Sequence, residues 1–387
     1  MNSRLLATTA LLGVASLGLS ACTDNAAPAS VNDPRRLTVS ATDTACQLSA
    51  STAPSGTVTF AVTNNGSLVT EFYLLGPDGL RILAEVENIG PGLTRELVLT
   101  ASAGKVFAAC KPGMQGAGIR QEFTVTDSGE VAPTGDEAAM IALAAEQYRL
   151  YVRAQVEELL TATTSFADLV KAGSDDEARD LYPEARVFWE RVEIVAESFG
   201  DLDPRMDARE ADLEPGQAFT GWHRLEKDLW PARAGEYTPL TAAQRATIAD
   251  QLVADTQELY NRTRELTYTA SDIANGAKSL LDEVATGKVT GEEEYFSRTD
   301  LWDFQANVDG ARVAWEGLRP LLQTKDAALG GRIAREFENV QALLDAQRKG
   351  DGFVTYDTLT AEQIKAMADA VNALSEPLSK LAAAVLA

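Results

Sequence analysis

The chain has 387 residues, and its 57 Asp and Glu against 34 Lys and Arg give a formal charge of −23 while 45% of the residues are hydrophobic. This is the composition of a chain that builds a core, not of a disordered one. So negative a surface repels phosphate backbones and anionic headgroups, which excludes nucleic acid as a partner class and favours metal ions or basic partners.

The first residues, MNSRLLATTALLGVASLGLSAC, carry a basic Arg4, an apolar run from Leu5 to Leu19 and small residues before Cys22. That pattern predicts an export signal over residues 1–21, too short for a membrane span. The ending Leu19-Ser20-Ala21-Cys22 resembles the lipobox of bacterial lipoproteins, which implies Cys22 as the lipidated first residue of the mature protein, with residues 22–36 as anchor and polar tether. The protein is then expected across the cytoplasmic membrane, as a periplasmic or cell-surface lipoprotein. Cys46 and Cys110 remain as one permitted pair in an oxidising compartment.

Residues 37–126 read as short alternating runs such as GTVTFAVTN, RELVLTA and IRQEFTVT, separated by Gly, Pro and Asn. Roughly seven strands are expected, as an antiparallel β-sandwich. Residues 127–136 lack an apolar period and read as a linker. From residue 137 to 387 the spacing is helical throughout, predicting an all-α bundle of roughly 250 residues. Within it ARVFWE at 185–190 recurs as ARVAWE at 311–316, which suggests an internal duplication. Glu190 then corresponds to Glu316, whereas Glu193 corresponds to Arg319, so a site using both glutamates belongs to the first unit alone.

His223 is the only histidine. On a helical wheel Trp222, Leu225 and Leu229 form an apolar stripe with Glu226 at its edge and His223 just beyond. A His and a Glu three apart present an imidazole nitrogen and a carboxylate to one point, although the same pair also serves as a plain hydrogen bond inside a bundle. Glu190 and Glu193, expected one turn apart on a single helix, and Asp203, Asp207 and Glu210 downstream supply further oxygens. One nitrogen among carboxylates is a hard, anionic set suited to Fe, Mn, Zn or Ca and not to Cu(I). Two other motifs fail. KGDGFVTYDTL places Gln347, Lys349 and Thr358 at the first, third and last ligand positions of an EF-hand and reads as an acidic turn. A zinc-protease helix needs two histidines, and the chain has one.

Through YPEARVFWERVEIVAESFGDLDPRMDARE, GWHRLEKDLW, NGAKSLLDEVATGKVTGEEEYFSRTDLWDFQANVDGA and SEPLSKLA, the chain resembles the EfeO-type iron-uptake proteins. The resemblance implies a cupredoxin-like β-sandwich followed by an imelysin-like helical bundle. It implies a metal site at His223 and Glu226, with Glu190, Glu193 and Asp207 as further ligands and Glu283 as a weaker one, leaving Asp303 and Asp309 outside. In the β domain it implies that Cys46 and Cys110, with Glu71, Glu85, Glu87 and Met114, surround a copper or iron ion, a disulfide between the cysteines being the alternative. A type 1 copper centre is excluded, because that domain has no histidine.

The function implied is lipid-anchored capture of ferrous or ferric iron, copper or zinc being secondary candidates, for an EfeU-like permease working with an EfeB-like haem peroxidase. Assisted iron oxidation is compatible with that role, which is otherwise non-enzymatic. The alternatives are a metallopeptidase, as the imelysin name suggests, and cation-dependent binding of acidic polysaccharide.

Overall fold

The computed structural model describes residues 33–213 and 215–387, so the export signal, Cys22 and most of the tether lie outside the described residues. Two layers of strands come first: β1 (Arg36–Ala41), β2 (Cys46–Leu48), β3 (Thr52–Pro54), β4 (Gly56–Asn64), β5 (Thr70–Leu75), β6 (Ile82–Ile89), β7 (Thr94–Ala101), β8 (Gly104–Pro112) and β9 (Ile119–Thr126). One sheet has the order β2-β1-β4-β7 and the other β3-β9-β8-β5-β6. The expected sandwich is present, but β1–β4 and β3–β9 pair in parallel, so it is not purely antiparallel. Short β2 and β3 are the strands that the seven-strand reading lacks.

Period-two alternation explains the layers. In β4, Val58, Phe60, Val62 and Asn64 are buried while the residues between them are less so. Phe60 packs its ring 5.2 Å from Phe72 and 5.5 Å from Phe123, across the two sheets. Cys46 and Cys110 join in a disulfide within this core.

The helices are α1 (Gly135–Ala172), α2 (Asp175–Glu190), α3 (Glu193–Glu197), α4 (Asp203–Met206), α5 (Gly221–Leu229), α6 (Ala242–Thr263), α7 (Ala270–Thr286), α8 (Asp300–Lys325), α9 (Ala327–Asp345), α10 (Ala361–Leu378) and α11 (Leu381–Leu386). Helix α1 buries Tyr148, Val152, Val156, Leu159, Thr163 and Phe166 at helical spacing and stops at Gly173, whose φ of 73° a side chain would resist. Helices α6, α7 and α10 start at reciprocal caps, Thr241 with Gln244, Thr269 with Asp272 and Thr360 with Gln363. Residues 348–353 form a hairpin of β10 (Arg348–Lys349) and β11 (Gly352–Phe353), the turn expected there.

The sandwich is hydrogen-bonded to the helical half. Thr100 donates its amide to Ser271, Asn275 donates to the carbonyl of Val98, and Ile82 donates its amide to the carbonyl of Ser198. Among the described residues no helix is long and apolar enough to cross a membrane.

Candidate metal centre

Helix α5 carries both members of the His-x-x-Glu pair, and both are buried. Its first residue, Gly221, has a φ of 75°, and a Cβ there would lie 2.0 Å from the carbonyl oxygen of Met206. Only glycine lets α5 start this close to the end of α4, and that approach puts His223 beside Asp207. The Nε2 of His223 is 3.4 Å from Oδ1 of Asp207 and 3.5 Å from Oε1 of Glu293. Its Nδ1 is 3.1 Å from Oε2 of Glu226. The other oxygen of Glu226 accepts the amides of Phe296 and Ser297, at 2.8 and 2.6 Å, which pins the carboxylate.

Glu190 and Glu193 come together, but not on one helix. Helix α2 ends at Glu190 and α3 begins at Glu193. The break has a cause in α8: Asn307 donates to the carbonyl oxygen of Glu190, which a continuous helix would need for its own next turn, at 2.7 Å. Gly310 lets α8 come that near, because a Cβ there would lie 2.6 Å from the carbonyl oxygen of Arg191. The same Asn307 amide reaches the carboxylates of Glu190 and Glu193, at 3.2 and 3.1 Å.

The expected ligands Glu190, Glu193, Asp207, His223 and Glu226 therefore occupy one buried neighbourhood. Single donor atoms of Asp207, His223 and Glu293 lie within 4.8 Å of one another, as do those of His223, Glu226 and Glu294, and those of Glu190, Glu193, Asp207 and Glu293. Glu293 and Glu294 belong to this neighbourhood although the sequence reading gave them no role. So does Asp303, set aside earlier, with both carboxylate oxygens buried and without a hydrogen bond. Asp309 faces elsewhere, paired with Arg191 at 3.0 Å, and Glu210 pairs with Lys227 at the surface. Glu283 is not in these groups. Its charge is felt by Glu193, Lys288 and Glu293 on one side and by Glu85 and Glu87 of the sandwich on the other.

Two buried cations are also inside the cluster. Arg186 contacts Glu190 and Asp207 and lies 2.9 Å from Glu294, while Lys288 lies 3.1 Å from Glu190 and 2.9 Å from Glu193. Trp189 donates to Asp207 at 2.7 Å, and Tyr182 to Glu294 at 3.2 Å. Glu190, Glu193, Asp207, Glu226, Glu293, Glu294 and Asp303 outnumber Arg186, Lys288 and His223, so the site keeps a negative excess.

That excess shows in the titration behaviour. Burial opposes the imidazolium, but Asp207, with hydrogen bonds to Glu226 and Glu293, holds His223 well above its ordinary pKa. Burial, then Glu193, pushes Glu190 well up, and burial with Glu226 pushes Glu294 to about 8. Glu293 moves the other way: burial is outweighed by Lys288 and His223, which hold it well below the usual range. A multivalent cation entering here exchanges with protons and with the ammonium's claim on the oxygens.

The β-domain ligand set needs correction. The cysteines are a disulfide, which leaves no thiolate for an ion. Alternation also separates the two groups: Phe72, Val86 and Cys110 point into the sandwich core, so their neighbours Glu71, Glu85 and Glu87 lie on the opposite face of the sheet. Met114 is exposed in the turn after β8. In the repeated motif Trp189 and Trp315 are both buried, whereas Glu190 is buried and Glu316 exposed, so only the first copy contributes to the centre.

The imelysin family model matches residues 144–381, the helical half. The iron uptake system component EfeO of Yersinia pestis is 38% identical over 353 residues, covering 90% of this chain and 91% of that protein. Its namesake in Yersinia pseudotuberculosis serotype I is 38% identical over 346 residues, covering 89% of each. That of Escherichia coli K12 is 36% identical over 376 residues, covering 96% and 95%. The chain belongs to the EfeO family of iron uptake system components, and its helical half to the imelysin family.

Proposed function

We propose that this protein captures iron at the His223 centre for delivery to a membrane permease. The observation that carries the reading is the convergence around Nε2 of His223, a buried nitrogen, of carboxylate oxygens from Asp207 and Glu293. In the ion-free fold the imidazolium proton offsets those oxygens, and a multivalent cation on Nε2 would replace that proton. Glu226 holds the opposite ring nitrogen, Nδ1, while Glu190 and Glu193 share an adjoining group of oxygens with Asp207 and Glu293. A mostly oxygen donor set of high negative charge favours hard Fe(III) over softer ions, so ligation stabilises the oxidised state. Export, a lipid on Cys22, and handover to an EfeU-like permease with an EfeB-like haem peroxidase complete the reading. They rest on the leader pattern and on the relatives' role as iron uptake components.

A metallopeptidase needs its ion to face a substrate cleft, and the imidazole here is 1% exposed. The test is metal analysis by mass spectrometry of the mature protein and of His223→Ala after equilibration with a mixture of Fe, Mn, Zn, Cu and Ca. Iron should dominate in the wild type and fall at least tenfold in the variant, since even the loss of a group that only supports a ligand costs about that much. Equal iron in both proteins would remove His223 from the site.

A further inference from the structure

A cavity of about 580 Å³ lies between the sandwich and the bundle, and none of the acids gathered around His223 is in its wall. That volume suits a small organic molecule. Most of the wall is apolar: Ile82 and Ala84 of β6 face it from the sandwich, and Ile194 of α3 and Leu266, between α6 and α7, face it from the bundle. All four are half-buried, apolar surface that packing within the chain leaves open.

Several polar groups in the wall lack partners. The hydroxyl of Tyr268 is buried and makes no hydrogen bond. Tyr148, whose ring meets that of Tyr268 edge-on at 4.9 Å, is 4% exposed, and its hydroxyl is also without a hydrogen bond among the described residues. Arg81, just before β6, lies 5.0 Å over the ring of Phe199, yet its guanidinium has no carboxylate partner among the described residues, in a chain with 57 Asp and Glu. Its charge acts on Tyr268, as does that of Arg153, which donates to the carbonyl of Arg264 and is likewise unpaired with an acid. Lys105 adds another unpaired cation to the wall.

The acids of the wall offset only part of this charge. Asp272 is turned back onto the amide of Thr269 as the cap of α7, Glu265 is exposed, and burial raises Glu85 to about 8, protonated at neutral pH. A guanidinium and a buried hydroxyl without acceptors are satisfied together by an anion with two oxygens. The two tyrosine rings beside them favour an aromatic body over a flexible aliphatic one, which would lose more freedom on binding.

We propose that this cavity binds a small aromatic carboxylate, its acid group held by Arg81 and Tyr268 and its ring laid against Ile82, Ile194 and Leu266. The site is separate from the cysteines and from the His223 centre, and it does not depend on the reading of that centre. An occupant touches both halves of the chain and so holds the sandwich against the bundle.

Titration calorimetry of the mature chain at pH 7 with 1-naphthoate, an aromatic carboxylate that is not a strong chelator, tests this. Wild type should bind one equivalent, and 1-naphthylmethylammonium, a cation of similar shape, should not compete for it. The net charge of the chain favours the cation everywhere else, so a preference for the anion marks this cavity. Arg81→Gln should weaken binding about tenfold, the loss of a hydrogen bond to a charged group, and Tyr268→Phe should weaken it in the same direction. Arg95→Gln removes the same charge from an exposed position outside the wall and should leave the affinity unchanged. Tyr268→Phe keeps its ring, so a melting temperature equal to that of wild type separates loss of a contact from loss of the fold. No binding of 1-naphthoate, equal affinity in wild type and Arg81→Gln, equal weakening in both arginine variants, or displacement by the cation would overturn the proposal.

Discussion

The ammonium of Lys288 donates to both carboxylate oxygens of Glu193, at 3.0 and 2.9 Å, in a setting where the lysine is 1% exposed. A tethered monovalent cation thus sits among oxygens that a multivalent ion needs. Burial opposes its charge, but Glu190, Glu193 and Glu293 hold its pKa well up, so it stays an ammonium.

Lys288→Met should therefore separate apo stability from ion affinity. Breaking a buried ion network by removing one partner costs about 3–5 kcal/mol, so the apo melting temperature should fall. The rise in melting temperature on adding iron should exceed that of wild type, because the ion no longer competes with the ammonium. An apo variant as stable as wild type would contradict a counter-ion role for Lys288.

Gly221→Ala probes the placement of α5. The left-handed backbone alone costs an alanine about 1–2 kcal/mol, and the methyl group would meet the Met206 carbonyl. Helix α5 should shift away from α4, drawing His223 from Asp207. The expected outcome is lower thermal stability together with weaker iron binding by titration calorimetry; unchanged affinity in a destabilised variant would show that His223 and Asp207 need not meet.

The acids predict an inverted pH dependence for the ion-free protein. Burial raises Glu85 and Glu294 to about 8 and Glu283 and Asp300 to about 7. Raised carboxyl groups bind more protons in the native state than in the unfolded one, so their contribution is largest at low pH and is lost as the pH climbs from about 4.5 towards 8. His223, also raised, acts in the same direction, its contribution disappearing as the pH passes its folded value. Glu293, held low, loses its contribution only in stronger acid and stays constant across this window. Calorimetric melting in chelator should fall between pH 5 and pH 8. Saturating iron should flatten or reverse that slope, because the ion replaces the protons; a chelated protein that becomes more stable with rising pH would argue against this account.

Cys46→Ser/Cys110→Ser should destabilise the protein by about 2–5 kcal/mol and leave the bound ions in place. The disulfide is buried in the sandwich core, on the other face of the sheet from Glu85 and Glu87. Loss of an ion from a variant still folded at low temperature would restore the cysteines to a metal site.

How far the sequence reveals this architecture depends on whether the signal is periodic. The strand runs, the helical spacing and the His-x-x-Glu pair follow from local repeat lengths, and of the expected acids Asp207 meets His223 while Glu190 and Glu193 gather with Asp207 beside it. The residues that escape notice look ordinary in one dimension. Lys288 and Arg186 carry letters that usually mean surface, yet both are buried, and Glu293 and Glu294 lie in an acidic run that reads as a solvated face. The interruption between Glu190 and Glu193 is set by Asn307, more than a hundred positions away, and no local pattern contains it. The partition of Cys110 from Glu71, Glu85 and Glu87 is a matter of register, which needs the neighbouring strands.

The anchoring of Glu226 has a steric consequence. Two amides hold one of its oxygens and Nδ1 of His223 meets the other, so the imidazole is fixed in its plane and presents Nε2 along one line. An ion captured on that line as proposed would leave by exchange of the carboxylates around it, with helix α5 unmoved.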